Sequence, residues 1–161
     1  MYREEFAKAV ELVTAAAREV YGERLVGLAV FGSVAMGTPR PDSDIDLLVV
    51  AEDLPRGRLG RMAEFARVEE IVRRHAAGFK YVRPDLSPVI KTPAEVEAGS
   101  LLFLDLVEDA RICYERDGFL SRHLAGLKER LLRLGARRIY RKGAWYWVLK
   151  PDYRPGEVFE I

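Results

Sequence analysis

Apolar side chains recur at steps of three and four residues from Phe6 through Val10, Val13, Ala17 and Val20, and the run ends at Gly22. That spacing predicts an amphipathic helix closed by a glycine. The pattern then changes. ERLVGLAVFG, residues 23–32, is a short, nearly continuous apolar run and reads as a strand, SVAMG as a brief helical turn, and TPRPDS as a loop punctuated by two prolines. DIDLLVVAE, residues 44–52, is a strand whose later half is apolar on both faces, as a central position in a sheet requires. Residues 57–78 return to a helical period, with Leu59, Met62, Phe65, Val68, Ile71 and Val72 near the apolar stripe.

YVRPDLSPVIKT, residues 81–92, is a third strand that Pro84 and Pro88 confine to an edge or a bulge. Thr92, Pro93 and Glu95 form the start signal of a helix, with a capping box between Thr92 and Glu95. LLFLDLVEDA continues in helix and RICYE is a short strand. Residues 117–135 form a strong helix, expected to be N-capped by Asp117 and stopped by Gly135. The tail, 136–161, is basic and aromatic, and is expected to be extended or partly ordered. This order of elements predicts an α+β fold, a small mixed β-sheet packed with helices. Residues 1–118 would form the main unit, and 119–161 a C-terminal helix and tail extending the same domain.

Composition narrows the class. About half of the 161 residues are apolar and a third are charged, which suits a globular protein with a sizeable core. No apolar run approaches the roughly 20 residues a membrane helix needs, so no membrane partner is expected. One cysteine, Cys113, allows no internal disulfide and fits a reducing, cytoplasmic setting. A buried, structural thiol is the expected state of Cys113. His75 and His123 fall on separate predicted helices without the i, i+4 partner of a metal site.

The net charge of +1 conceals an asymmetry. Residues 121–154 carry ten basic side chains against two acidic ones, a local charge of +8, while residues 1–120 carry −5. A positive end on a nearly neutral protein points to an anionic partner.

The chemistry concentrates in FGSVAMGTPRPDSDIDLLVV, residues 31–50. Strand residues two apart share a face, so Asp44 and Asp46 present both carboxylates together while Ile45 and Leu47 enter the core. Two carboxylates that close oppose each other's ionisation, and a divalent ion would relieve them. Oxygen-only ligation suits a hard cation, magnesium or manganese, with positions left for phosphate oxygens. Upstream, Gly32 and Ser33 stand where a strand turns into a short helix, with outward backbone amides and room for a phosphate to approach. Arg40, in the loop before the acids, is a further candidate phosphate contact.

Gly32-Ser33, ten residues, then Asp44-Ile45-Asp46 before an apolar strand resembles the signature of the DNA polymerase β-like nucleotidyltransferase superfamily, and within it the small stand-alone nucleotidyltransferase-domain proteins. The likeness is strongest over residues 26–50 and runs loosely to about residue 115. It implies the polymerase β-like nucleotidyltransferase fold and a nucleoside triphosphate substrate, with Asp44 and Asp46 as metal ligands and catalytic acids, and Gly32 and Ser33 at the phosphates. The implied reaction is attack of a hydroxyl on the α-phosphate, with pyrophosphate leaving. The family pattern has a third acid on a neighbouring strand. Here that step aligns with Ser87, and Asp85, two residues earlier with the same strand parity, is the candidate to replace it.

The resemblance leaves the acceptor open, RNA and protein both being candidates. It also allows an antitoxin-like regulatory module that pairs with a HEPN-type partner or with a second copy of the chain. A third reading is a nucleic-acid-binding protein working through residues 121–154, with Arg138, Arg141, Lys142 and the AWYW aromatics against bases. Set against that, the same aromatics would serve to pack the tail onto its own domain or onto another subunit.

Overall fold

The computed structural model describes all 161 residues. Its centre is a four-stranded sheet in the order β3-β2-β1-β4, built from β1 (Leu25–Phe31), β2 (Ile45–Ala51), β3 (Leu86–Lys91) and β4 (Arg111–Glu115). β1 runs antiparallel to both β2 and β4, and β2 runs parallel to β3, so the sheet is mixed. β3 is an edge strand, which accommodates Pro88 without loss of an inner ladder bond. β2 is inner, and from Leu47 to Ala51 every residue is buried.

Alternation along β1 and β2 divides the core in two. Leu28, Val30, Ile45, Leu47 and Val49 face α1 (Tyr2–Tyr21) and α3 (Arg58–His75), which supply Phe6, Val13, Phe65 and Val68. Val26, Ala29, Leu48 and Val50 face the other way, against α4 (Pro93–Ala98), α5 (Leu102–Asp109) and α6 (Phe119–Leu134). Gly27 lets α6 approach the sheet closely, since an added Cβ would meet Leu120 Cδ1 at 2.6 Å. Each buried leucine or phenylalanine in these layers contributes roughly 1.5–3 kcal/mol. The four-residue helix α2 (Gly32–Ala35) links β1 to the proline loop.

The capping box at α4 is present. Thr92 Oγ1 accepts the Glu95 N–H, and Glu95 Oε2 accepts the Thr92 N–H. Glu95 also receives both ends of the Arg61 guanidinium, at 2.7 and 2.8 Å, and Arg61 donates to the Ile90 and Pro55 carbonyls. The edge strand is thereby tied to α3, and the Arg61 hydrogen bonds hold the Glu95 carboxyl down at about 2.

Three local expectations are corrected. The helix that opens at Pro93 stops at Gly99, whose positive φ of 88° breaks it, and α5 starts afresh at Leu102. Gly118, not Asp117, is the N-cap of α6, because Asp117 is itself in a left-handed turn with φ 55°. Leu59 lies outside the apolar stripe of α3 and is 87% exposed, while Phe65, Val68 and Val72 form the buried face. Part of the tail is ordered. Residues Arg137–Arg141 and Ala144–Val148 pair as an antiparallel hairpin, β5–β6.

Candidate active site

The antiparallel register of β1 and β2 sets Phe31 opposite Asp46, and the parallel register of β2 and β3 sets Ser87 beside Asp46. Asp46 shares strand parity with Leu48 and Val50, so it lies on the α4–α6 side of the sheet, at the end where β1 finishes and β2 and β3 begin. Asp44 precedes the strand on the same parity and is exposed. The Ile45 N–H donates to the Asp85 carbonyl at 2.8 Å, and one step back along the Ile45–Leu86 register brings Asp85 level with Asp44. Asp44, Asp46, Asp85 and Ser87 therefore occupy neighbouring positions on one face. Ser87 stands laterally next to the half-buried acid, and Asp85 next to the exposed one.

Gly32 meets Asp46 directly. Its φ is +67°, and a Cβ placed on it would come within 2.3 Å of Asp46 Oδ2. The carboxylate thus lies against the first residue of α2, whose N-terminus has no side-chain cap. Ser33 follows within the same turn and is half-buried. Spacing alone could not reveal this contact, since it depends on the strand register that folds residue 46 back onto residue 32.

Burial first, and then the negative charge of Asp44, raise the Asp46 carboxyl above its ordinary value. No protein cation offsets them. Arg40, the nearest candidate in sequence, is exposed and pairs with Asp42 at 3.5 Å, while its own N–H donates to Ser43 Oγ at 2.8 Å. A half-buried acid repelled by a second acid, with only oxygen donors around it, fits a hard divalent cation. The fit is to a pair of carboxylates: no group of three His, Cys, Asp or Glu side chains converges closely enough to hold an ion.

Other candidates from the sequence fall elsewhere. Cys113 is half-buried in β4, and burial pushes its thiol up, as for an inert structural cysteine. His123 stacks edge-on against Phe103 with ring centres 5.2 Å apart, and His75 Nδ1 lies 2.8 Å from the Ile71 carbonyl. Of the AWYW aromatics, the two indoles are tied to the protein itself, while Tyr146 is exposed on the opposite face. Trp145 and Trp147 both donate their indole N–H groups to Asp105, at 2.8 and 2.9 Å, and Arg138 forms a two-pronged pair with Asp109 at 2.7 and 3.0 Å. Arg138 is therefore consumed in docking the hairpin on α5 and is not free to meet a base, which corrects its place among the nucleic-acid candidates.

No helix is long and apolar enough to cross a membrane.

Comparison with known proteins identifies the family. The family described as nucleotidyltransferase domain matches residues 11–111. The Methanocaldococcus jannaschii protein named "Putative protein adenylyltransferase MJ1305" is 29% identical over 120 residues, covering 73% of this chain and 77% of that protein. The spectinomycin adenyltransferase AAD(9) from Enterococcus faecialis, solved with ATP and spectinomycin, shares the fold with a TM-score of 0.51 at 14% identity, over 79% of this chain and 67% of that one. A chain from a toxin–antitoxin assembly solved with AMP-PNP superimposes with a TM-score of 0.49 at 18% identity, over 78% of this chain and 92% of that one.

Proposed function

Because the chain belongs to the nucleotidyltransferase domain family, we propose that it transfers the adenylyl group of ATP to a hydroxyl of an acceptor protein. The observation that carries this reading is the Asp46 carboxylate, half-buried and lying against Gly32 at the start of α2 with Asp44 on the same face. The choice of nucleotide and acceptor class rests on the M. jannaschii relative, whose name is that of a protein adenylyltransferase.

In this reading the bond between the acceptor oxygen and the α-phosphorus forms as the bond from that phosphorus to the bridging oxygen breaks. Pyrophosphate leaves with the electron pair, and the hydroxyl proton passes to Asp85. Gly32 gives the triphosphate close access to the backbone, and Ser33 adds a hydroxyl donor. Asp44 and Asp46 would hold magnesium or manganese, which when bound supplies charge neutralisation on the triphosphate and polarises the α-phosphate. Ser87 contributes no charge where a third acid would stand, so Asp85 carries that duty from one position further out. We assign this chemistry to residues 1–118 and contacts with the acceptor to 119–161.

Incubation with α-labelled ATP and magnesium tests the reading. Label should pass to protein, be abolished by Asp44→Ala, and slow by at least tenfold in Asp85→Asn with ATP binding retained. Label that persists in Asp44→Ala would overturn it.

A further inference from the structure

The β5–β6 hairpin lies beyond residue 111, where the family match ends. Its two faces differ in kind. Strand alternation and pairing put Arg138, Tyr140, Trp145 and Trp147 on one face, where Arg138 and both indole N–H groups are tied to α5 while the Tyr140 and Trp145 rings keep an exposed side. Arg138 and Asp109 are each only 8% exposed in their pair, and the Arg138 guanidinium also lies over the Tyr140 and Trp145 rings, 5.1 and 4.9 Å from their centres. The other face carries Arg137, Ile139, Arg141, Ala144, Tyr146 and Val148. Arg137, Arg141 and Tyr146 are exposed, Ile139 and Val148 are half-buried, and Lys142 stands in the turn. None of Arg137, Arg141 or Lys142 takes part in an ion pair, in contrast to Arg133, Arg138 and Lys150 nearby.

The hairpin also stands at the catalytic end of the sheet. β4 pairs Arg111 with Val30, and one step further in that register brings Ala110 level with Phe31, the residue opposite Asp46. Asp109, which anchors the hairpin, immediately precedes Ala110 on the same side of the sheet as Asp46.

We infer that the outer face of this hairpin is the docking surface for the acceptor protein, and that it fits a partner surface with an apolar centre rimmed by acidic residues. The inference rests on the transfer reading above for its acceptor. An aliphatic and tyrosine centre with an arginine rim has the composition of a protein–protein contact, in which tyrosine and arginine carry most of the affinity. A single-stranded nucleic acid would call on successive stacking aromatics, and the outer face carries one, Tyr146. The unpaired cations supply charge complementarity and steer association.

The test is a fluorescence titration of the full chain with a labelled amphipathic helical peptide of alternating leucine and glutamate faces. Its lysine counterpart and a labelled single-stranded oligonucleotide are run beside it. The glutamate peptide should bind saturably, weaken at least tenfold in Arg137→Glu/Arg141→Glu and several-fold in Tyr146→Ala, and weaken further with salt; the lysine peptide should not bind. Equal binding by the variants, no binding of the glutamate peptide, or tighter binding of the oligonucleotide would overturn the inference. ATP binding measured on the same variants separates the two claims, because the hairpin changes leave Asp44 and Asp46 untouched. Variants that lose the peptide and keep ATP support docking, whereas a wild-type chain that binds peptide and not ATP keeps the docking surface and sinks the transfer reading.

Discussion

Gly32 satisfies two demands at once: a left-handed backbone and a carboxylate at contact distance. A methyl group there costs roughly 1–2 kcal/mol for the backbone alone, and it must also push Asp46 away from the turn. Gly32→Ala should therefore keep a folded, slightly less stable chain while weakening magnesium–ATP binding by tenfold or more, measured by titration calorimetry; unchanged binding would show that the contact is incidental. Asp46 makes a prediction of opposite sign. Its folded-state carboxyl is raised above 3.8 by burial and by Asp44, so the folded chain holds that proton more tightly than the unfolded chain does. Without metal, the contribution of this one group is greatest below the ordinary carboxylate range and is lost as pH rises through the raised value. Asp46→Asn removes that loss. Thermal denaturation in chelator at neutral pH should show the variant melting higher than the parent while its ATP binding is gone. A lower melting temperature would mean that the carboxylate has a protein partner after all.

At the scale of elements, the hairpin is held by α5 through one arginine and two indoles. Breaking a buried pair from one side costs about 3–5 kcal/mol, because the remaining charge is stranded. Here the stranded Asp109 can be relieved by hairpin departure, so Arg138→Met should undock β5–β6 and leave the sheet and its helices folded. Trp145 and Trp147 are the chain's two tryptophans, so intrinsic emission reads the event directly: a red shift with near-parental circular dichroism is expected, and an unshifted spectrum would contradict the docking account. The same elements show what could be read beforehand. β1, β2 and α1 were legible because their periods are dictated by burial against one sheet, and the edge position of β3 was legible from Pro84 and Pro88. The Asp117 cap failed because a glycine follows it, and the left-handed turn that glycine permits moved the cap to Gly118. The hairpin was not legible, since it is anchored by Asp105 and Asp109, 29 to 42 residues upstream of the side chains they hold.

Over the whole molecule, acids and bases are separated by task. The −5 of residues 1–120 includes Asp44, Asp46 and Asp85, and the +8 of residues 121–154 includes the unpaired arginines of the hairpin. The sheet registers bring the start of β4, and with it the hairpin's anchor Asp109, to the end that carries Asp46. The pairing of Gly32-Ser33 with Asp44 and Asp46 was legible because all four fall within one strand–turn–strand passage. The neighbours of that site were less so: Ser87 beside Asp46 and Asp85 beside Asp44 depend on the parallel β2–β3 register. The central claim is that this end of the sheet holds a metal–triphosphate complex through Asp44 and Asp46. Titration of the chain with ATP, with magnesium and then in chelator, tests it most directly. Saturable binding that requires magnesium and is lost in both Asp44→Ala and Asp46→Ala is the predicted result; ATP binding that survives either substitution unchanged, or that ignores the metal, would contradict it.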